Sequence, residues 1–352
     1  MRIVDGLPAI CEHLRIRART IRFPDGVDLH FDDVISLLDA VRTLDTVTDL
    51  NVGHLDPGCV ARLKAAGVLT DWEDRAIDFN ELPPWTAASL LEFLASRIDG
   101  HCRPAELGHA IQFSRFGEVF GAAPELPRAA AGCRRISLPT STETGTLHQT
   151  LRKRRTTRTF ALDQRLTVGH LSSLLFQVFA ISQVRSLDNG LEIGRRTSPS
   201  GGSIQSVEAY IIVRECHGVP SGIYRYGALD HSLVDLASLG KDEACALMES
   251  ICLGQPGMSS AAFYVILVAD FKRLLWKYRQ HQKALHVALL DAGHLSMTLQ
   301  LVAQEAGLGS FVSAYMNDAE VEVRLGLDPT KNGAMCFLGV GQCNLASEYA
   351  PT

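Results

Sequence analysis

The chain has 352 residues, 46% of them hydrophobic, which is enough for two domains or for one large domain with an attachment. Its 34 Lys and Arg stand against 39 Asp and Glu, a formal net charge of −5 that gives no basis for bulk attraction to nucleic acid. The opening MRIVDGLPAICEHLRIRART lacks the unbroken apolar core of a signal peptide, and the longest apolar run, AAFYVILVA at 261–269, is too short for a bilayer.

IRFPDGVDLHF (Ile21 to Phe31) alternates around a Pro-Asp-Gly turn and predicts a hairpin. Asp32 and Asp33 can cap the following VISLLDAVRTL, and LDPGCVARLKAAGVLTDW reads as a capped helix, a stop at Gly67 and a short strand. Hairpin, two helices and strand together resemble a winged-helix module. Asp45, Asp49, Asp56 and Asp71 make its surface a poor phosphate binder, which leaves peptide docking along a sheet edge or a structural cap on the main domain. WTAASLLEFLASRIDG gives a further helix, and the Gly-, Pro- and Ala-rich stretch from Arg103 to about Gly145 holds the domain boundary. The expected division is 1–140, a winged-helix-like docking domain, and 141–352.

Beyond Leu151, VEAYIIVREC, AAFYVILVADF and MCFLGVGQ are apolar and β-branched enough for central strands. ALHVALLDAGHLSMTLQLVAQEAG is the strongest helix, with Leu285, Ala288, Leu289, Ala292, Leu295, Leu299, Val302 and Ala306 at three-and-four spacing. Gly293 within it suits close approach of another backbone, such as a second subunit's, and Gly307 supplies a left-handed stop. Nine cysteines without a CxxC pair fit reduced thiols in a cytoplasm, and twelve histidines show no paired ligand spacing, so no metal is assigned.

Three clusters could carry chemistry. KRRTTRTF (Lys153 to Phe160) concentrates guanidinium forks suited to phosphate, although a short basic run is equally a solvated face. RRTSPSGGSIQSVEAY brings Pro199, Ser200, Gly201 and Gly202 to a tight turn before a strand, with a hydroxyl donor at its tip and a backbone open to close approach. GLGSFVSAYM (Gly307 to Met316) is a glycine-rich exit from the long helix. It does not follow a strand of a βαβ unit, so a dinucleotide fingerprint is rejected.

In their order these pieces resemble the nitroreductase superfamily, and within it the SagB/ThcOx-type dehydrogenases of peptide natural-product maturation. KRRTTRTF is similar to the family's RRSxRxF, with Thr156 in place of serine. RRTSPSGGSIQSVEAY is similar to its RR..PSGG....E stretch, GIYRYGALDHSLVDL to its G-x-Y-x-Y-x(4)-H-x-L hairpin, and LLDAGHLSMTLQLVAQEAGLGS to its long helix and exit. The resemblance implies an α+β, nitroreductase-like fold that forms a homodimer with FMN at the subunit interface. Arg154, Arg155 and Arg158 would hold the phosphate, and Thr156 would contact the ring or ribityl chain. Pro199, Ser200, Gly201 and Gly202 would cover the ring from the partner subunit. Leu308, Gly309 and the backbone near Ala314 would lie along it.

Gln342 stands where relatives often carry a basic residue, which places the phosphate on the arginine cluster. Azoline-oxidising relatives have a Lys-Tyr pair before the long helix. Lys277 and Tyr278 offer one, at a spacing to Gly293 that departs from theirs. As a catalytic pair, Lys277 would be desolvated and take a proton from Cα, with Tyr278 orienting it. Otherwise WKY is an amphipathic helix end with a snorkelling lysine. The implied activity is flavin redox on a ribosomally made peptide bearing a leader segment: azoline dehydrogenation, or chemistry on a dehydroamino acid, alongside a partner modification enzyme. The alternatives are an NAD(P)H-dependent small-molecule nitro- or ene-reductase and a flavin-free peptide-binding scaffold.

Overall fold

The computed structural model describes residues 20–22, 28–30, 93, 96–98, 136–139, 144–161, 166–279, 281 and 283–343. At the N-terminal end, β1 (Thr20–Arg22) pairs antiparallel with β2 (Asp28–His30), Ile21 opposite Leu29, as the Pro-Asp-Gly turn predicts. The helices and strand expected over 32–72, and with them the winged-helix reading, lie outside the described residues.

Helix α1 (Thr146–Lys153) precedes β3 (Leu166–Thr167) and α2 (Val168–Phe179). Thr167 opens α2 as a capping box, its hydroxyl accepting from the His170 amide while the His170 ring accepts from the Thr167 amide. The short hairpin β4 (Gln183–Ser186) and β5 (Glu192–Arg195) leads to a single 3-10 turn at Gly201–Ser203. Then come β6 (Val207–Val213), β7 (Cys216–His217), β8 (Gly222–Gly227), β9 (Ser232–Ser238) and α3 (Lys241–Cys252). β10 (Phe263–Asp270) runs directly into α4 (Phe271–Lys277), because Asp270 caps the helix by accepting from the Arg273 amide. The long helix α5 (Ala284–Glu305), β11 (Gly309–Ser313), α6 (Asp318–Leu325) and β12 (Asn332–Gly341) complete the order.

Six of these strands form one antiparallel sheet in the order β11-β12-β10-β6-β8-β9. Its central strands read as continuous apolar runs because both faces are covered. Phe263, Val265 and Leu267 of β10 face the core that contains α2, α4 and α5. Tyr264, Ile266 and Val268 face a second core with α3 and α6. The result is the expected α+β architecture, with α5 laid across one face.

On α5 the periodic residues Leu285, Ala288, Ala292, Leu295 and Leu299 are buried as expected. Leu289 is not. It is 50% exposed, beside Leu290 at 62% and Met297 at 38%. At roughly 100° per residue, these positions fall on the side of the helix turned away from the sheet. Among the described residues, nothing comes within 4 Å of a side chain added at Gly293, which lies in the same open stripe.

Phe93 and residues 96–98 are packed into this unit. The Arg97 guanidinium grips Glu322 of α6 through both carboxylate oxygens, and the Ile98 amide donates to Asp318 Oδ2 at 2.8 Å.

Candidate functional site

α1 stops at Arg154 because the chain turns extended there, φ −54° and ψ 128°. The next residues run beside the outer strand of the sheet: the Thr157 amide donates to Ser310 O of β11 at 2.9 Å, and the Ala161 amide to Gln342 O at 2.8 Å. Thr157 and Phe160 point in and are buried, Thr157 packing against Gly309, while Arg155, Thr156 and Arg158 point out.

Arg154 is half-buried and donates to Gln300 Oε1 of α5 at 3.4 Å; Thr150 anchors α1 on Glu305 at 2.6 Å. Arg155 turns back on the Arg152 and Arg154 carbonyls. Among the described residues, no carboxylate pairs with Arg154, Arg155 or Arg158. The first and third clusters are thus neighbours, but the Leu308 side chain is buried in the core and its amide donates to Ala303 O. Among the described residues, Gly309 is the member of this cluster that packs on the arginine segment, through Thr157, and Ala314, just past β11, is exposed.

The Pro-Ser-Gly-Gly turn is built differently from the open, donor-tipped loop the sequence suggests. Ser200 Oγ donates inward to Asp291 Oδ2 of α5 at 2.7 Å and accepts from the Gln205 amide at 3.1 Å. The Gly201 amide donates to Asp291 Oδ1 at 3.0 Å. Ser198 meets Thr298, two turns further along α5, at 2.6 Å. Gly202 takes φ 60°, and the non-glycine residues Ser203 and Gln205 are also left-handed, at 57° and 50°. Pro199 and Gly202 remain exposed.

The two arginines that open this stretch have separate fates. Arg195 is exposed in β5, while Arg196 sinks beneath the turn and donates to Val207 O at 2.8 Å. Burial lowers the Arg196 pKa to about 10 against the opposing charges of Glu208 and Asp291.

Lys277 and Tyr278 end α4 directly against this turn. Lys277 Nζ donates to Gly202 O at 3.3 Å and sits 5.7 Å from the Tyr278 ring centroid. Burial, then the nearby Asp291 charge, raises the Tyr278 hydroxyl above its ordinary value. Lys277 itself is exposed in the single chain, so the desolvation expected of it is not supplied by its own fold.

The structure therefore fixes two separate clusters to α5. Gln300 comes nine residues after Asp291, and at roughly 100° per residue they stand about 180° apart around the helix. The arginine segment borders one edge of the exposed stripe of α5 and the glycine turn the other. Asp291, Thr298 and Gln300 were not singled out from the sequence. A signal existed for Asp291: it is a lone carboxylate on the apolar stripe of a helix, and a buried acid needs a partner.

An antiparallel sheet crossed by one long helix, with an arginine-rich edge and a glycine turn on that helix, defines a class of α+β protein rather than a one-off arrangement. The chain belongs to the Nitroreductase family, whose pattern it matches over residues 151–342. It is 27% identical over 177 residues to the MJ1384 protein of Methanocaldococcus jannaschii, across 50% of this chain and 81% of that one. It is 30% identical over 143 residues to the trifolitoxin-processing protein TfxB of Rhizobium leguminosarum bv. trifolii, across 40% of this chain and 38% of TfxB. Its fold is similar to a chain of the E. coli microcin synthetase McbBCD complex with truncated pro-MccB17 bound. That likeness has a TM-score of 0.50 and 20% identity over 85% of this chain and 99% of that one.

Proposed function

We propose that two copies of the chain pair through the exposed stripe of α5, hold FMN between them, and act as an oxidoreductase on a ribosomally made peptide. One observation carries the reading: the arginine edge and the glycine turn stand on opposite sides of α5 in each chain. Over a single ring they are brought together by joining one copy's arginines to the other copy's turn. Leu289, Leu290 and Met297, all exposed on that helix, offer the apolar contact, and the open Gly293 permits close approach.

The residues present fit a flavin monophosphate. Arg154, Arg155 and Arg158 lack a carboxylate partner among the described residues and suit a dianionic phosphate, with Thr156 exposed between them. Gly309 and the backbone at Leu308 and Ala314 would lie along the ring, and Pro199 to Gly202 of the second copy would cover it. Gln342 lends its carbonyl to Ala161 and no charge to the site, consistent with the arginines holding the phosphate.

FMN supplies a two-electron acceptor or donor. Lys277 would take up the substrate's α-proton at Nζ, held by the Gly202 carbonyl and the Tyr278 ring, once the second copy excludes water from it. The peptide substrate is supported by the similarity to TfxB, named for trifolitoxin processing, and azoline dehydrogenation is the reaction that the Lys277–Tyr278 pair suits. The N-terminal residues would dock the leader or a partner enzyme and raise the local concentration of a weakly bound core peptide.

Purification tests this reading. A yellow dimer that releases FMN on denaturation and oxidises an azoline peptide is the expected result. A protein bleached rapidly by NAD(P)H and indifferent to peptide makes it a small-molecule reductase. A colourless protein that FMN cannot reconstitute makes it a scaffold.

A further inference from the structure

Asp291 is 3% exposed, on the apolar stripe of α5. A carboxylate is costly to bury without strong partners. Among the described residues its hydrogen bonds go to Ser200 Oγ and the Gly201 amide, both in the glycine turn. Arg196, half-buried, adds an attractive charge.

The turn needs such a hold. Gly202, Ser203 and Gln205 all have positive φ, and left-handed geometry is unfavourable for the two that carry a Cβ. Ser200 links the two features, since the hydroxyl that donates to Asp291 accepts from the amide of strained Gln205. Gln205 is pinned again through its side chain, which donates to Gly194 O at 2.9 Å.

We infer that Asp291, acting through Ser200 and Gly201, is the positioning residue that turns the donors of this loop inward and presents a donor-poor surface of Pro199 and glycine backbone to a flat aromatic ring. This rests on the proposal that the turn covers FMN, and it changes what the turn contributes. Ser200 and the Gly201 amide shape the surface, while hydrogen bonding to the cofactor falls to the opposite half-site. An outward-facing hydroxyl and amide would suit an anion. Proline, and glycine backbone beside a Ser200 hydroxyl and Gly201 amide that are already engaged, suit the face of a heterocycle.

The experiment compares wild type, Asp291→Asn, Asp291→Leu and Ser200→Ala as purified full-length proteins. FMN affinity, visible circular dichroism of bound FMN and hydrogen exchange of the 200–205 amides are the readouts. Asp291→Leu is expected to bind FMN about ten- to a hundredfold more weakly. It should also alter the flavin circular dichroism and lose protection at the Gly201 amide. Asp291→Asn, which keeps an acceptor for that amide, should recover most of the affinity and protection. Wild-type affinity and spectrum in Asp291→Leu, or failure of Asp291→Asn to recover either, overturns the inference.

Should Asp291→Leu not fold, Ser200→Ala decides, because it deletes only the linking hydroxyl. It is expected to weaken FMN binding and shift the spectrum, and an unchanged affinity and spectrum overturn the inference. A wild-type protein that takes up no FMN brings down the underlying reading. A wild type that binds FMN beside an indifferent Asp291→Leu removes only this inference.

Discussion

Phe93 stands edge-on to Phe271, their ring centroids 4.9 Å apart at 75°, and Gly333 leaves the space that both rings fill. A residue far upstream of the family match thereby closes the core where β10 passes into α4. Phe93→Ala should cost about 3–5 kcal/mol, the range for truncating a buried phenylalanine. A chain beginning after residue 98 should lose more, because it also leaves the buried Glu322 without Arg97. Urea unfolding of the two variants tests this, and a midpoint unchanged from the full chain contradicts it.

Asp318 gives the same contact a pH dependence. Burial pushes its carboxyl up to about 6, helped by the Glu322 charge and opposed by the Ile98 amide and Arg97. An unfolded aspartate titrates near 3.9, so between roughly pH 4 and pH 6 the folded state binds more protons than the unfolded one. The associated stability is present below about pH 4 and lost as pH rises through 6, an effect on the order of 1–3 kcal/mol. Asp318→Asn keeps the acceptor for Ile98 and removes the titration. Its stability relative to wild type should therefore climb from pH 4 to pH 7, and a constant difference across that range refutes the assignment.

Much of this was legible in the sequence. Continuous apolar runs announced strands covered on both faces, and Gly307, with φ 72°, ended α5 as expected. The arginine and glycine clusters were legible as residue types but not as geometry. Periodicity placed Leu289 in the core because it cannot tell a core-facing apolar residue from one that faces away from the sheet. The Ser200 hydroxyl read as a free donor because its acceptor lies 91 residues away. Arg97 and Phe93 sat in an ordinary helical pattern, with nothing local to tie them to Glu322 and Phe271.

The open stripe on α5 predicts opposite results from neighbouring substitutions. Gly293→Ala meets nothing among the described residues and should raise helix stability by up to about 1 kcal/mol. Leu290→Glu touches a side chain that is 62% exposed, so the fold should persist while the dimer dissociates and FMN is lost. Sedimentation mass with bound-flavin absorbance checks this. A dimeric, flavin-loaded Leu290→Glu rules out pairing through this face.

The two glycines of the turn should differ in kind. A methyl at Gly201 would overlap Val287 of α5, whose branched side chain has little freedom. A methyl at Gly202 would meet the flexible end of Lys277 and incur the left-handed penalty, roughly 1–2 kcal/mol. Gly201→Ala should therefore shift the turn and lower FMN affinity. Gly202→Ala should lower stability modestly and, by displacing Lys277 Nζ from the turn, reduce turnover more than flavin content. Equal flavin loss in both variants contradicts the distinction.

Mixing two defective chains tests the shared site most directly. Arg154→Ala/Arg158→Ala removes the arginine half and Gly201→Ala the turn half, so neither homodimer should bind FMN well. After subunit exchange about half the pairs are mixed, each with one intact site, and FMN binding should return to about a quarter of the wild-type level. If each chain builds its own site, the mixture contains no intact site, and binding that stays at the level of the separate variants contradicts the account.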